Sequence, residues 1–538
     1  MPGFPESRDV VGRWIREIKT AEASLALMSA PKRLSIEKVE ETQSKRALTL
    51  KRFRIPLALA AAACILVAFF LVDRPSPALA FATAQPGVVL ARATRAEPSG
   101  AGLLARWRAR LLFDKGSDLE TQGRFAEALE AYKHSLTTSE SLSARLNEGA
   151  VLYTISRYVE AEKTLAAGFA DSVTSGDRDL QAGFALNLGN VFSDLARFSD
   201  AEREFDICDQ IARERGRADL EATAINGKAT VSSYRGRLFS SLQGHRRALE
   251  IYTATHNQDG AANSNLSIGH IFVNYEQPTQ AARYLNAAAQ YSSHASTTTL
   301  GQANFRLATG GYLLAHAGDA RLMDALRSFE EARGLYRRVS NRIGEARAEI
   351  AIGSVLGVQG NKYDVLRRQG GKFVDPHTGL LINDIDHYNT ALSLGKDNGL
   401  PMVQIVALIA TGQAYTNSEN WSSAIVPFQS ALKLCDAVGA NGAKMAALQG
   451  LSDLFMSSGD KAKALAFSKR SLAAAEQTGD PYLKGSAHEA LAHMYGALGD
   501  ETSAGVELEQ ASALYSEVGS ELSARRVQLL LGQIKRVH

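Results

Sequence analysis

From residue 103 onward, apolar and small side chains return on a beat longer than any one helix or strand. Ala161, Ala201, Ser241 and Ala281 lie 40 residues apart, and Ala424, Ala464 and Ala504 repeat the interval. Turn-forming pairs such as Gly459-Asp460 and Gly499-Asp500 punctuate each repeat. The pattern predicts antiparallel helix pairs, one pair per repeat. One such pair cannot bury its apolar face alone, but stacked neighbours can. A chain of 538 residues exceeds what one compact core holds, and a one-dimensional array removes that difficulty.

The clearest unit contains Leu188-Gly189-Asn190, Phe192, Arg197-Phe198-Ser199-Asp200-Ala201 and Phe205. Gly189 lets the two helices approach, Phe192 fills the gap between them, and Ala196-Arg197 makes the turn. Ala201 opens the second helix where only a small side chain fits. Copies recur around Gly116, Gly149, Gly269, Gly412, Ala464 and Ala504, with degenerate ones at Gly236, Gly311 and Gly353. This resembles the tetratricopeptide repeat (TPR), in about ten units over residues 103–518. The resemblance implies an all-α fold: a right-handed α-solenoid of TPR-like hairpins, with a solvating cap helix over residues 519–538. The family's usual period is about 34 residues, so the interval of 40 implies longer helices, as in kinesin light chains.

The beat breaks between Ala281 and Ala424. Ala281 to Ala325 spans 44 residues, and the seventh unit's second helix is delayed by about nineteen. The inserted run, residues 361–383, has two β-prone arms around Asp375-Pro376-His377-Thr378-Gly379 and predicts a small hairpin. It reads either as a protruding contact element or as a tolerated surface insertion.

Residues 55–72 run eighteen positions without a charge, and ten of them are Leu, Ile, Val or Phe. They favour a bilayer by about 3–6 kcal/mol and reach about 27 Å as a helix. Lys45, Arg46, Lys51, Arg52 and Arg54 precede them, which places residues 1–54 in the cytoplasm and the repeats outside it. If the source is a Gram-negative bacterium, the repeats are periplasmic. A cleaved signal peptide is the rival reading, because Ala78-Leu79-Ala80 and Ala82-Thr83-Ala84 look like cleavage sites. Residues 73–102, rich in Pro and Ala, read as an irregular spacer.

Charge offers no case for nucleic acid. Residues 1–54 hold 12 basic against 7 acidic side chains, leaving 48 against 50 in the remainder. Cys64, Cys208 and Cys435 are too scattered for a disulfide framework or zinc site. His488 and His493 fall one residue short of the HExxH metal spacing, which turns their imidazoles about 140° apart on a helix. No phosphate loop and no GxSxG occur. Neither catalytic residues nor a cofactor or metal is expected.

The family resemblance implies that first helices line a concave groove for a protein or peptide. The position after each small turn residue then supplies the candidate lining: Asn190, Thr230, His270, Tyr312, Gln413, Asp453 and His493, with Ser117, Ala150 and Ser354 in the same register. The Lys-and-Asn clamp by which some members grip a terminal carboxylate is missing here. The expected function is a membrane-anchored scaffold for protein–protein interaction. A single-pass sensor relaying binding to residues 1–54 is the alternative.

Overall fold

The computed structural model describes residues 90–99, 102–295, 299–315, 322–362, 367–369, 372–374, 381–382 and 384–537. The apolar segment 55–72 lies outside them, as do the N-terminal segment 1–54 and residues 73–89 of the spacer. Among the described residues, no helix is long and apolar enough to cross a membrane.

Those residues form ten helix hairpins and a final helix. The first three pair α1 (Leu103–Thr121) with α2 (Phe125–Thr138), α3 (Leu142–Thr154) with α4 (Tyr158–Ser175), and α5 (Arg178–Asp194) with α6 (Phe198–Arg215). Next come α7 (Ala218–Tyr234) with α8 (Leu238–Ala254), α9 (Gln258–Asn274) with α10 (Pro278–Ala295), and α11 (Thr299–Ala315) with α12 (Leu322–Arg338). The seventh joins α13 (Arg342–Lys362) to α14 (Asp384–Asp397) across the insertion. The last three are α15 (Pro401–Asn417) with α16 (Trp421–Val438), α17 (Asn441–Ser457) with α18 (Lys461–Thr478), and α19 (Pro481–Leu498) with α20 (Glu501–Glu517). Helix α21 (Glu521–Val537) follows. Successive first helices touch one another directly and second helices do so far less, so the first helices line the tighter inner radius.

Most of the ten hairpins close on a first-helix glycine facing a bulky side chain of the second helix. A Cβ on Gly189 would stand 2.6 Å from the Phe205 ring, and one on Gly227 of the next hairpin would stand 2.5 Å from it. Phe205 is therefore held between two first helices. Phe428 lies in the same way between Gly412 and Gly450, at 2.8 and 2.4 Å. The partner of Gly189 is thus Phe205, on the second helix, rather than Phe192. Phe192 is buried instead beneath the Arg197 guanidinium, 4.2 Å from its ring centroid.

The turn within a hairpin is a left-handed helix stop. Between α5 and α6, Ala196 takes φ 56°, and Arg197 N–H donates to Phe192 O at 2.8 Å. This satisfies a carbonyl that the end of α5 would otherwise leave open.

The insertion carries β1 (Arg367–Gln369), β2 (Lys372–Val374) and β3 (Leu381–Ile382) in an antiparallel sheet of order β1-β2-β3. Phe373 pairs with Ile382 and Val374 with Leu381, across the expected turn. Strand β1 adds an arm that the sequence pattern had not indicated.

The coils of the solenoid also touch. Asn341 Nδ2 donates to Thr154 O at 2.9 Å, 187 residues back, and Arg342 N–H donates to Ser156 Oγ at 2.9 Å. Further along, Asp480 Oδ2 accepts from Phe239 N–H at 2.8 Å and from the Tyr275 hydroxyl at 3.3 Å. Ser520 Oγ donates to Tyr275 O at 2.6 Å, and Gln277 Nε2 to Val518 O at 2.9 Å. Turns within early hairpins therefore dock on loops that precede late ones.

One such seam holds a buried charge. Arg347, on α13, donates to the Tyr234 hydroxyl at 2.8 Å, beside Asp194, Tyr153 and Tyr158. Burial pushes the Asp194 carboxyl above its usual range, with Arg347 and the two tyrosines opposing the shift.

Candidate functional site

Residues 90–99, the described end of the Pro- and Ala-rich run, do not form a free spacer but lie along the inner face of the first hairpins. Asn187, on α5, accepts from Ala91 N–H through Oδ1 at 2.8 Å and donates through Nδ2 to Ala91 O at 3.1 Å. Asn147, on α3, does the same for Ala93, at 2.8 and 3.1 Å. A carboxamide presents an acceptor and a donor side by side, matching the C=O and N–H of one extended residue. Because the gripped residues are two apart, both have their backbone groups on the same edge of the strand. Asn187 is fully buried and Asn147 nearly so.

The side chains of the segment are held by shape and charge. Ala91 faces α5, its Cβ 3.4 Å from the point a Cβ on Gly183 would occupy, with Leu146 beside it. Ala96 is fully buried, while Thr94, Arg95 and Glu97 are exposed. Arg92 turns the other way and its Nε donates to Glu120 Oε2 at 2.8 Å. Glu120 Oε1 accepts from the Tyr132 hydroxyl at 2.7 Å, and Asn147 Nδ2 reaches the same hydroxyl at 3.3 Å. Burial, and then the Glu120 charge, raise the Tyr132 pKa, so its hydroxyl stays a donor. At the far end Ser99 N–H donates to Glu140 O at 2.9 Å and Ser139 Oγ to Ser99 O at 3.0 Å.

The expected lining falls into a row, one residue per first helix, rather than into a cluster. Asn190 and His270 are buried, as are Ala150 and Ser354. Burial alone lowers the His270 pKa to about 4, which keeps the imidazole neutral. Thr230, Tyr312, Gln413, Asp453 and His493 are half-buried, and Ser117 is exposed. Thr230 Oγ1 turns back to Asn226 O on its own helix at 3.1 Å, and Asp453 accepts from Gln449 Nε2 at 2.9 Å. The contacts to an extended segment come instead from Asn187, one helical turn before Asn190. Its signal was present: Asn147 and Asn187 are 40 residues apart, each two before a hairpin glycine.

His488 and His493 turn to different carboxylates. His488 Nδ1 is 2.6 Å from Glu507 Oε2, and His493 Nε2 is 4.0 Å from Glu489 Oε1. Burial pushes the thiols of Cys208 and Cys435 up to about 12, so neither is a ready nucleophile at neutral pH.

No family model and no curated protein matches the chain. Among solved structures, it is similar to a Rap protein in complex with competence and sporulation factor. That match has 12% identity and a TM-score of 0.43, covering 73% of this chain and 98% of that one. It is similar also to a signal-transduction ATPase with a tetratricopeptide repeat sensor from Pyrococcus horikoshii, at 14% identity and TM-score 0.39, covering 76% and 54%. Yeast Tom70 matches at 12% identity and TM-score 0.32, covering 78% of this chain and 96% of that one.

Proposed function

We propose that this chain is a binding protein that holds an extended stretch of a protein partner along the inner face of its first helices. The observation that carries this reading is the double grip of Asn147 and Asn187 on the backbone of residues 91 and 93. A surface that reads backbone amides from two successive repeats accepts an extended chain. The row through Thr230, Gln413, Asp453 and His493 continues the same face in later hairpins. The chain acts as a scaffold and catalyses nothing. Residues 55–72 anchor it in a membrane, with residues 1–54 cytoplasmic and the solenoid outside.

Photocrosslinking tests the binding reading. A crosslinker placed at Gln413 or Asp453 in the full chain should capture a partner. The same group at Val159 or Val426, exposed on second helices, should not. Capture from the second helices alone would remove the inner face as the binding surface. Topology is read separately with reporter fusions near residue 100: activity of a cytoplasmic reporter there would remove the anchor orientation.

A further inference from the structure

We propose that residues 90–99 are a tethered occupant of a peptide site, and that a partner segment of the same chemistry displaces them. This rests on the binding reading above and deepens it by naming the ligand class and its competitor. The ligand is an extended peptide with a small residue at the position of Ala91 and a basic residue directly after it.

The chemistry of the site specifies each part. The two carboxamides read one N–H and one C=O at each alternate residue, whatever the side chain. Ala91 is buried against Gly183 and Leu146, so a larger side chain at that position has to push into α5 or displace Leu146. Glu120 faces the residue between the grips and, with the hydroxyl of Tyr132 bound to its other oxygen, selects a cation there.

The built-in segment is an imperfect fit. Arg92 Nη1 is buried without a hydrogen-bond partner, a cost that a better-matched peptide avoids. It is also bonded almost entirely through its backbone, so an incoming strand can replace those bonds one for one. Tethering, rather than tight complementarity, keeps it in place: a short linker gives an effective concentration in the millimolar range. The site is therefore closed to weak ligands and open to matched ones.

The test uses the full chain and a labelled synthetic peptide with the sequence of residues 88–99. Ala91→Leu in the chain should expel the segment, and the peptide should then bind about tenfold tighter or more than to the unaltered chain. Asn147→Ala with Asn187→Ala should abolish that binding, and Arg92→Glu in the peptide should weaken it at least about tenfold. A second readout needs no variant. Amide exchange at Ala91 and Ala93 should be slow in the unaltered chain and become fast when excess peptide is added. Equal peptide affinity for the Ala91→Leu and unaltered chains, or amides whose protection ignores excess peptide, would overturn the proposal. Inner-face crosslinks without peptide binding overturn the tethered occupant alone. Peptide binding without those crosslinks overturns the wider partner reading alone.

Discussion

Arg526 Nη1 lies 2.6 Å from Glu276 Oε2, across 250 residues of intervening chain. Its Nε also meets Glu489 Oε1 at 2.7 Å, and the Glu489 side chain is wholly buried. Burial opposes the Arg526 charge, but the two carboxylates outweigh it and raise its pKa. Removing one partner of a buried ion pair costs on the order of 3–5 kcal/mol. Arg526→Met should therefore loosen the last coil. Hydrogen exchange should speed up in α19 to α21 and stay unchanged in α1 to α4. Unaltered protection in α21 would contradict the clamp.

A smaller change tests the other seam. Asn341 Oδ1 caps α13 by accepting from Gly344 N–H at 2.8 Å, while Nδ2 bridges to Thr154 O. Asn341→Asp keeps the cap and turns the bridge into two facing acceptors. We expect a loss of about 1–3 kcal/mol, seen as a lower urea midpoint for a fluorophore near residue 156. Equal midpoints for the two chains would show that the bridge adds nothing.

The Phe205 and Phe428 sandwiches leave no space for a methyl group on either side. Gly227→Ala and Gly450→Ala should each cost about 1–3 kcal/mol by overpacking, measured by denaturant unfolding. Pairing Gly227→Ala with Phe205→Leu should recover part of the loss. A double-mutant cycle with no coupling would argue that the ring does not set the helix spacing.

Buried His245 and half-buried Asp384 give opposite responses to pH. Burial lowers the His245 pKa to about 3, below the usual value near 6.5. The unfolded chain then takes up the proton first, so the stability from His245 is present above pH 6.5 and is lost as pH falls toward 3. Its Nδ1 lies 2.8 Å from Asn226 Oδ1, a pairing that suits the neutral ring donating. Burial raises the Asp384 carboxyl to about 6, so its contribution is present below pH 4 and is lost as pH rises through 6. Each response reaches at most about 1.4 kcal/mol per pH unit. Urea unfolding at pH 4.5 to 7, read by labels on α8 and α14, should show α8 weakening in acid and α14 strengthening. His245→Gln and Asp384→Asn should each flatten one of these trends.

Much of the fold was legible because its key contacts have fixed separations in sequence. Gly116 and Tyr132, Gly149 and Leu165, Gly189 and Phe205, and Gly412 and Phe428 are all contacts 16 residues apart. Gly353 meets Tyr388 at 35, so the nineteen extra residues of the insertion leave the contact itself unchanged. The β2–β3 hairpin was legible from its turn residues. The seams between coils were not, because they depend on a small rotation accumulated over several repeats, and no local pattern encodes that. The segment gripped by Asn147 and Asn187 was hidden for a different reason. Ala91, Ala93 and Ala96 give it the composition of a linker, whereas at Ala91 and Ala96 a small side chain is what close packing against the inner face requires.

The docked coils change what this array can tolerate over evolution. In an open solenoid, a hairpin can be duplicated or lost and the neighbours simply close up. Here the turn at Thr154 must meet the loop at Asn341, and Tyr275 must meet Ser520. One hairpin more or fewer between either pair would put every later loop out of step, like a gear that has slipped a tooth. The number of repeats between the seams is thereby locked, and length variation is confined to places such as the β1–β3 insertion, which lengthens a repeat without adding one.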